Sequence, residues 1–251
     1  MTKLSIITVA YNNRAGIEQT FNSLDYIDDK DMPSIEWVVI DGGSTDGTYD
    51  YLCTLKSKIA IKYLSEKDQG IYDAMNKGIL MSSGDYALFL NSGDTLVPEA
   101  NEIIHELCDN PFRNNIYIYD AILDFGYNIK KIRRAKSCFY IYHSLPASHQ
   151  AIVYPLLEIK DELYDLRYKV SSDYALTAML YKKGIPFIKA KRILSCFSIG
   201  GVSTTNSRQL CEDAMKVQKN ILHLPSVLIY LSYFARKLST RRAKNTWESG
   251  V

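Results

Sequence analysis

Three carboxylates in this sequence stand at positions where they could do chemistry. Asp41 ends the apolar run "VVID" and precedes two glycines, and Asp94 closes "FLNSGD" after a second apolar run. Asp173 stands near the start of a helical pattern at 171–184. A strand-end carboxylate can accept hydrogen bonds from a base N–H or a ribose hydroxyl. A carboxylate beside phosphates can bind a divalent cation, and one near a substrate hydroxyl can take its proton.

Some of these acids have structural explanations as well. Asp94 stands shortly before Pro98, which is typical of a helical first turn, so it could cap that helix. Asp173 could be an ordinary first-turn acid that the helix dipole favours. Asp46 in "STDGT" is best explained as the N-cap of the next helix. Asp41 lacks such an explanation and is therefore the best nucleotide-binding candidate of the four.

Alternating strand and helix patterns surround these residues. Apolar, β-branched runs predict strands at 4–11, 35–41, 59–65 and 85–91. Helical patterns lie between them, at 17–27, 46–57 and 70–84. This alternation predicts a largely parallel sheet with helices on both faces. In such sheets ligands bind beyond the carboxyl ends of the strands, and the polar segments of this sequence fall at those ends.

The second half of the sequence continues as one domain. A helix from Pro98 and a strand at 116–125 precede the basic segment "KKIRRAK" at 130–136, a solvated edge strand or loop that could also face a phosphate-rich ligand. The helix at 171–184 has Ser171 as candidate N-cap and Gly184 as candidate C-cap. We expect a domain at 1–205, with a donor half to about 97 and an acceptor half from about 98, and a helical appendage at 206–251.

The appendage carries an amphipathic, basic helix. In "SVLIYLSYFARKL" at 226–238 one helical face collects Val227, Leu228, Leu231, Phe234 and Leu238, and five Lys or Arg residues lie between 236 and 244. Such a helix suits the surface of an anionic membrane. The alternative is a helix that packs on its own domain or on a twin subunit, and the sequence leaves both open.

Composition bounds the classes of function. The chain has 251 residues, 47% hydrophobic, 23% charged and a net charge of +2, which is ordinary for a soluble protein and gives no sign of a nucleic-acid partner. The five cysteines form no pair with metal-ligand spacing, which favours a reducing compartment. No signal-peptide pattern or apolar run of about 18–20 residues occurs, so we expect a cytoplasmic protein. G-x-G-x-x-G after the first strand and the P-loop motif are both missing, which disfavours dinucleotide redox chemistry and P-loop phosphate transfer.

Four segments together resemble glycosyltransferase family 2, whose members have the GT-A fold. They are "SIITVAYNN", "VVIDGGSTDGT", "QGIYDAMNKGI" and "LFLNSGD", in the family's order and spacing. In the second half, "YIYHSLPASHQAIVY", "YDLRYKVSSDYAL" and "GGVSTTN" are similar to the colanic acid transferases and their relatives in exopolysaccharide and O-antigen clusters. The resemblance implies a GT-A α/β fold with a mixed, mostly parallel sheet flanked by helices.

The resemblance also implies a donor site and a metal site. The family carries Asp-x-Asp or Asp-x-Asp-Asp after the fourth strand, whereas this sequence reads Asn91-Ser92-Gly93-Asp94. Asp94 would then be the metal ligand, for Mn²⁺ or Mg²⁺, in a lean site that the donor's phosphates complete. The donor-binding residues implied by the match are Thr8, Ala10, Asn12, Asp41, Gly70, Asn76, Lys77, Asn91, Ser92 and His149.

The same resemblance assigns the acceptor side. Asp173 matches the family's general base, with Ser172 where a glutamate commonly stands. His149 and Gln150 match a His-Gln pair, for which contact with the donor and a structural role are equally open. The segment 198–206, "SIGGVSTTN", could close on the diphosphate.

The implied reaction is an inverting sugar transfer at a membrane. The donor would be a nucleotide-diphosphate sugar, GDP-fucose first and UDP-hexoses next. The acceptor would be an undecaprenyl-diphosphate-linked oligosaccharide on the cytoplasmic face of the inner membrane, which the basic helix would contact. A nucleotidyltransferase fits poorly, because "AYNNRAG" is not its glycine-rich basic loop. A non-catalytic sugar-nucleotide-binding or scaffold protein stays open, because the metal motif is depleted.

Overall fold

A mixed nine-stranded sheet with helices on both faces forms the protein. The computed structural model describes residues 3–126, 129–198 and 207–248. The strands are β1 (Leu4–Ala10), β2 (Ile35–Asp41), β3 (Ala60–Ser65), β4 (Tyr86–Phe89), β5 (Thr95–Leu96), β6 (Ile116–Asp124), β7 (Lys130–Arg133), β8 (Ile152–Pro155) and β9 (Phe187–Ser198). The helices are α1 (Arg14–Ser23), α2 (Thr48–Thr54), α3 (Ile71–Met81), α4 (Ala100–Asp109), α5 (Leu156–Glu162), α6 (Ser172–Lys182), α7 (Ser207–Asn220) and α8 (Ser226–Glu248).

The strand order is β3-β2-β1-β4-β8-β6-β9-β5, with β7 added beside β6. The first four strands run parallel, as predicted, and β1, β2 and β4 are buried along their whole length. A strand that is covered on both faces needs a continuous apolar run, and these sequences supply it. The second half changes direction: β8 is antiparallel to both β4 and β6, and β5 is antiparallel to β9. The parallel ends of β1, β2 and β4 therefore open onto one edge, which is where a ligand site is expected.

Each face of the sheet has its own apolar layer. One layer includes Ile17 of α1, Leu52 of α2 and Ile103 of α4. The other includes Met75 of α3 and residues of α5, α6 and α7. The two layers fix the strand positions, so the loops at the strand ends are carried on a rigid base.

The segment predicted as an appendage is partly built into this core. Ala214 and Val217 of α7 are buried in the same layer as α6, and the Asp213 carboxylate accepts a hydrogen bond from the Val170 N–H at 2.9 Å. Residues on both sides of the predicted boundary at 206 therefore belong to one hydrophobic core. No helix in the described ranges combines the length and the apolar character needed to cross a membrane.

Several local predictions can now be compared with the structure. Lys130–Arg133 is an exposed edge strand, and Gly184 follows α6 with φ +82°, as a C-cap glycine should. Ser171 occupies the N-cap position of α6, but its side chain makes no capping hydrogen bond. Residues 149–151 form a 3₁₀ turn, and the strand begins only at Ile152. The predicted closing loop lies outside the described residues from position 199 onward.

Candidate active site

The loops at the carboxyl ends of β1 and β4 are hydrogen-bonded to each other through α1. Asn13 caps α1, because its Oδ1 accepts from the Gly16 N–H at 3.1 Å. Its Nδ2 lies 3.1 Å from both the carbonyl oxygen and the Oγ of Ser92. The Ser92 hydroxyl, a predicted donor ligand, is therefore anchored to the start of the first helix.

The turn Asn91–Asp94 is held in a fixed shape. Thr20 Oγ1 donates to the Asp94 carbonyl oxygen at 2.8 Å, and the Gly93 N–H donates to Thr20 Oγ1 at 3.0 Å. Gly93 has φ +96°, a conformation that L side chains rarely adopt. The position that lacks the family's second carboxylate is thus one where this chain's backbone requires glycine.

Asp94 is buried, with 7% of its surface exposed. Burial raises the pKa of its carboxyl to about 7, although the Gln150 amide and the Asn91 main chain act in the opposite direction. Gln150 Nε2 lies 3.2 Å from Asp94 Oδ2. Sequence reasoning paired Gln150 with His149, and the structure instead places Gln150 on Asp94.

Asn91 Oδ1 is a buried oxygen that accepts no hydrogen bond within the described structure. An uncompensated buried oxygen is costly, and such atoms are few in folded proteins. Beside it stands Asp94, a buried carboxylate with one neutral side-chain donor. Oxygen ligands of this kind suit Mg²⁺ or Mn²⁺, so the residues present fit a divalent cation that shares phosphate oxygens with a ligand.

Asp41 is fully buried and organises its own loop. Its carboxylate accepts from the Ser44 main-chain N–H at 3.1 Å, from the Ser44 hydroxyl, and from the Ser65 hydroxyl at 2.5 Å. The loop is further tied to β1, because Asn12 Oδ1 accepts from the Thr45 N–H at 2.8 Å. Sequence reasoning found no structural role for Asp41, and the structure supplies one.

Asp46 links two helix starts, but the N-cap of α2 is Gly47, so the predicted N-cap residue stands one position too early. Its Oδ1 accepts from the Thr48 N–H at 3.1 Å and its Oδ2 accepts from the Arg14 N–H at 2.9 Å. Hydrogen bonding from the Thr48 hydroxyl, then from Arg14, lowers the pKa of the Asp46 carboxyl. Its structural explanation is therefore sufficient.

Gly42 lies against Tyr11 and Asp68, a grouping that the sequence did not reveal. A Cβ at this position would lie 2.5 Å from Asp68 Oδ2 and 3.3 Å from the Tyr11 ring. Tyr11 is 65% exposed, and the other carboxylate oxygen of Asp68 accepts from the Gly70 N–H at 2.9 Å. An exposed aromatic ring and a carboxylate beside the same glycine suit a flat heterocycle with an N–H group.

Several predicted donor ligands are instead engaged with the protein itself. Thr8 is fully buried and donates to the Leu90 carbonyl oxygen at 2.6 Å. Asn76 donates to the Tyr164 carbonyl oxygen at 2.9 Å and accepts from the Tyr164 N–H at 2.7 Å. Lys77 forms an ion pair with Glu66 at 2.8 Å. The side chains of these three residues are thus bonded within the protein. Ala10, the last residue of β1, is buried.

His149 packs inside the protein rather than facing the strand-end loops. Its ring stacks on Phe89 with 4.8 Å between centroids, and its Nε2 lies 2.7 Å from the Tyr164 hydroxyl. Burial lowers the pKa of His149, so the ring is neutral at pH 7. The structure therefore favours the structural alternative for His149 over contact with the donor.

Asp173 lies in the first turn of α6 and is only half-buried. The Tyr72 hydroxyl lies 3.3 Å from Asp173 Oδ1 and 2.8 Å from the Val170 carbonyl oxygen. The Tyr174 N–H also donates to Asp173 Oδ1, at 2.8 Å. Both described contacts involve Oδ1, so Oδ2 remains available to a substrate hydroxyl.

A second acidic cluster lies elsewhere, on α4 and the 3₁₀ turn Met32–Ser34. His105 contacts Asp31 at 3.2 Å and Asp109 at 3.1 Å, and Lys30 Nζ lies 3.2 Å from its Nε2. These groups contact one another, and the cluster shares no residue with the strand-end loops.

Comparison with known proteins gives a family and a fold. The pattern of the family described as glycosyl transferase family 2 matches residues 5–184. An uncharacterized glycosyltransferase of Mycobacterium tuberculosis is 41% identical over 91 residues, 36% of this chain and 34% of that protein. The putative teichuronic acid biosynthesis glycosyltransferase TuaG of Bacillus subtilis is 37% identical over 94 residues, 36% of each chain. The matched segments thus span about a third of these curated relatives.

Solved structures share the whole fold at low sequence identity. Residues 1–349 of S. aureus TarS superpose with a TM-score of 0.70 at 17% identity, over 98% of this chain and 74% of that one. The mannosyltransferase PcManGT from Pyrobaculum calidifontis, solved with GDP-Man and Mn²⁺, gives 0.64 at 11% identity, over 96% and 75%. The TarS fragment has also been solved with UDP-GlcNAc. The expected GT-A α/β fold, a mixed sheet flanked by helices, is confirmed.

Proposed function

This chain belongs to glycosyl transferase family 2, and we propose that it moves a sugar, with inversion, from a nucleotide diphosphate to a lipid-linked oligosaccharide of a bacterial surface polysaccharide. The observation that carries this proposal is the pairing of two buried, under-satisfied oxygens at Asn91 and Asp94 with the accessible carboxylate of Asp173. The oxygens of Asn91 and Asp94 suit a charged diphosphate and its cation. The carboxylate of Asp173 suits an acceptor hydroxyl.

The nucleotide base would bind beside Gly42, against Tyr11 and Asp68. Tyr11 offers a ring for stacking, and Asp68 Oδ2 can accept a hydrogen bond from a base N–H. Asn12 and Asp41 would act by holding this loop in place. The diphosphate would then extend toward the turn Asn91–Asp94.

Asp94 and Asn91 would hold a divalent cation, Mn²⁺ or Mg²⁺. When bound, the cation neutralises negative charge on the departing diphosphate. Asp94 must be ionised for this purpose. Burial raises the pKa of its carboxyl to about 7, and a positive charge beside it would lower that pKa and so favour ionisation. We therefore expect metal binding to depend strongly on the donor.

Asp173 would accept the proton of the attacking hydroxyl. The acceptor oxygen bonds to the anomeric carbon from the face opposite the nucleotide diphosphate, and the bond to that diphosphate breaks, which inverts the configuration. Tyr72 would hold the Asp173 carboxylate in orientation through its hydroxyl. Its helix, α3, begins at Ile71, and the N-cap Gly70 donates its N–H to Asp68.

The membrane is the proposed location of the acceptor, on the cytoplasmic face. Five apolar residues of α8 are exposed although the helix packs on its own domain. They are Val227, Leu228, Leu231, Phe234 and Leu238. The opposite side, including Ile229 and Arg236, contacts the domain. An apolar stripe followed by a basic segment supports attachment to an anionic surface.

A donor panel tests this function directly. We would follow thermal unfolding with GDP-fucose, GDP-mannose, UDP-GlcNAc and other UDP-hexoses, each with and without Mn²⁺. A true donor at ~100 times its Kd stabilises by ~2.7 kcal/mol, which raises Tm by ~5–10 °C for a chain of this size.

The donor that stabilises the protein is then incubated with it, and release of free sugar and nucleotide diphosphate is measured. Slow, Mn²⁺-dependent hydrolysis supports an enzyme. Binding without hydrolysis supports the non-catalytic alternative, and no stabilisation by any nucleotide sugar contradicts the proposal.

A further inference from the structure

Two concavities of the described structure differ in the chemistry of their walls. One is an apolar groove of about 490 Å³ beside the 3₁₀ turn Cys138–Tyr142 and the start of α8, with Phe139 and Leu228 among its walls. Gln218 and Arg236 bind main-chain oxygens of this groove. The other is a cavity of about 190 Å³ between α4 and the strands β4 and β6, and its walls carry polar groups. Polar groups that converge on a cavity can select one ligand over another.

The smaller cavity lies at the edge of the sheet opposite the candidate active site. Tyr86 is the first residue of β4 and Tyr117 is near the start of β6, and these two strands run in the same direction. Asn91 and Asp94 follow the other end of β4. A ligand in this cavity would therefore contact none of the residues proposed for the donor or the acceptor.

The cavity contains a buried hydroxyl without a partner. Tyr119 lines it and is 3% exposed, and no residue in the described part of the chain hydrogen-bonds its hydroxyl. Tyr117 lies two residues earlier on β6, so its side chain is on the same face of the strand, the face that packs on α4. A polar group that is buried without a hydrogen bond costs stability. A polar ligand in the cavity would supply the missing partner.

Contacts within the protein hold the rest of the wall in place. The Tyr86 hydroxyl donates to the Arg113 carbonyl oxygen at 2.9 Å and accepts from the Arg113 N–H at 3.0 Å. The Tyr86 ring meets the Tyr117 ring edge-on, with 5.7 Å between centroids. The Glu106 carboxylate is paired with Arg192 of β9, at 2.8 Å for Oε1. The wall is thus formed before a ligand arrives, which lowers the entropic cost of binding.

Arg113 gives the cavity an unpaired positive charge. It lines the cavity and is exposed, and within residues 3–126, 129–198 and 207–248 its guanidinium has no hydrogen bond or ion pair. The charge of Glu106 is already neutralised by Arg192, and this pairing lowers the pKa of the Glu106 carboxyl. A carboxylate on a ligand would pair with Arg113 through two parallel N–H groups.

A sugar ring that carries a carboxylate matches these walls. Such a ring has an apolar face of C–H groups, which packs on tyrosine rings, and a rim of hydroxyls, which both donate and accept hydrogen bonds. The cavity is smaller than the roughly 300–1,000 Å³ of sites for drug-sized ligands, which suits a single ring. We infer that this cavity binds one acidic saccharide unit, free or as part of a polysaccharide. The inference goes beyond the transfer reaction and uses none of its residues.

An NMR titration of the full chain, with labelled tyrosine rings, tests the inference. The probes are galacturonic acid, galactose, acetate and the trisaccharide of galacturonic acid. We expect galacturonic acid to shift the signals of Tyr117 and Tyr119 with a Kd of about 1 mM. Galactose and acetate should each bind about tenfold more weakly, because each lacks half of the recognised chemistry. A trisaccharide that binds at least as tightly as the single sugar indicates a polysaccharide unit, and a weaker one indicates a free sugar acid.

Two variants divide the binding between the hydroxyl and the charge. Tyr119→Phe should weaken galacturonic acid about fivefold and leave Tm unchanged, because the hydroxyl bonds no described residue. Arg113→Gln should weaken galacturonic acid about tenfold and leave galactose unchanged. Tyr26→Phe and Arg134→Gln are the matched controls, since both residues are exposed and lie outside the cavity. Both controls should bind like the wild type.

Several results would overturn the inference. They are unchanged tyrosine signals at saccharide concentrations far above the expected Kd, unchanged affinity in both cavity variants, and equal losses in the controls. Equal affinity for acetate and galacturonic acid would also overturn it, because the cavity would then be a site for simple anions.

Donor binding separates this inference from the proposed function. The two cavity variants should keep the wild-type thermal stabilisation by the nucleotide sugar, because the cavity shares no residue with the proposed donor site. If galacturonic acid binds as expected and no nucleotide sugar does, the proposed function fails and the inference stands. If a nucleotide sugar binds and no saccharide enters the cavity, the inference fails and the proposed function stands.

Discussion

The half proposed to bind the donor and the half proposed to bind the acceptor build their surfaces in different ways. Beyond β1, β2 and β4, loops are cross-linked by short polar side chains such as Asn13, Ser44 and Thr20, so main-chain atoms set the shape. In the second half, large side chains such as Phe139 and Tyr142 set it. The family pattern ends at residue 184, before β9, α7 and α8. The pattern therefore includes Phe139 and Tyr142 of this surface but not Leu228 of α8.

The largest expected effect tests whether the two halves meet in one reaction. Asp173→Asn removes the proposed base and should reduce transfer by ~10²–10⁴-fold. Binding of the nucleotide sugar, measured by thermal shift, should stay within about twofold. Asp165→Asn, at a carboxylate paired with Arg167, is the control. Substantial transfer by the Asp173 variant would show that the base lies elsewhere.

The pH dependence of stability tests how deeply the donor site is buried. Because the folded-state pKa of Asp94 is about 7 and its ordinary value is 3.8, the folded protein holds a proton that the unfolded chain releases. Stability should therefore fall as pH rises from 4 toward 7. Between pH 5 and 8 the loss should be about 2–3 kcal/mol without cation.

Chemical denaturation at these pH values measures the loss. Asp94→Asn lacks the titrating group and should show a flatter profile over the same range. A wild-type profile as flat as that of the variant would mean that the carboxyl ionises freely, and the picture of a desolvated site would be wrong.

Asp94→Asn should also uncouple metal from donor. In the wild type, Mn²⁺ should strengthen binding of the nucleotide sugar about tenfold or more, and calorimetry of Mn²⁺ alone should show little binding. In the variant, Mn²⁺ should leave donor affinity unchanged. Tight binding of Mn²⁺ to the wild type without donor would contradict the idea of a site that phosphates complete.

A smaller effect tests the acceptor half at the membrane. Replacing Val227, Leu231 and Phe234 together by Ser should reduce sedimentation with vesicles of phosphatidylethanolamine and phosphatidylglycerol several-fold. These side chains are 58–70% exposed, so the melting temperature should stay the same. Leu80→Ser with Leu157→Ser removes comparably exposed apolar groups elsewhere and should not affect sedimentation. Equal losses in both variants would argue against a specific membrane face.

The smallest effect tests the proposed base-binding residues Gly42 and Asp68. Gly42→Ala places a methyl group 2.5 Å from Asp68 Oδ2, and the flexible carboxylate should move aside at little cost in stability. Donor affinity should fall a few-fold, and Asp68→Asn should do the same by removing the acceptor charge. Unchanged donor affinity in both variants would mean that the base binds away from Gly42.

The sequence predicted elements better than it predicted contacts. Strand and helix periodicity located β1 to β4 and α3, because each pattern is local. The insertion of β8 between β4 and β6 depends on pairing between distant segments, which no local pattern encodes. The same limit applies to Tyr72, which meets Asp173 across 101 residues.

Several predicted site residues lie near the strand-end loops but have structural hydrogen bonds that the sequence does not reveal. A polar residue at a strand end is predicted to lie near the site. Whether its side chain is available to a ligand depends on the hydrogen bonds that it makes within the protein. Asn76 is occupied by the main chain of Tyr164, and Asp41 by Ser44 and Ser65. Tyr11 and Asp68 were missed because their relation depends on the space left by Gly42.

The contacts that Gln218 and Arg236 make under the groove have a consequence for evolution. Both side chains bind main-chain oxygens, those of Tyr142 and His143, which every amino acid possesses. The side chains at 139, 142 and 228 can therefore be exchanged while the support below them stays intact. A lineage could therefore change the character of this surface by a few substitutions, and a laboratory library confined to these three positions would vary the surface without removing the contacts that support it.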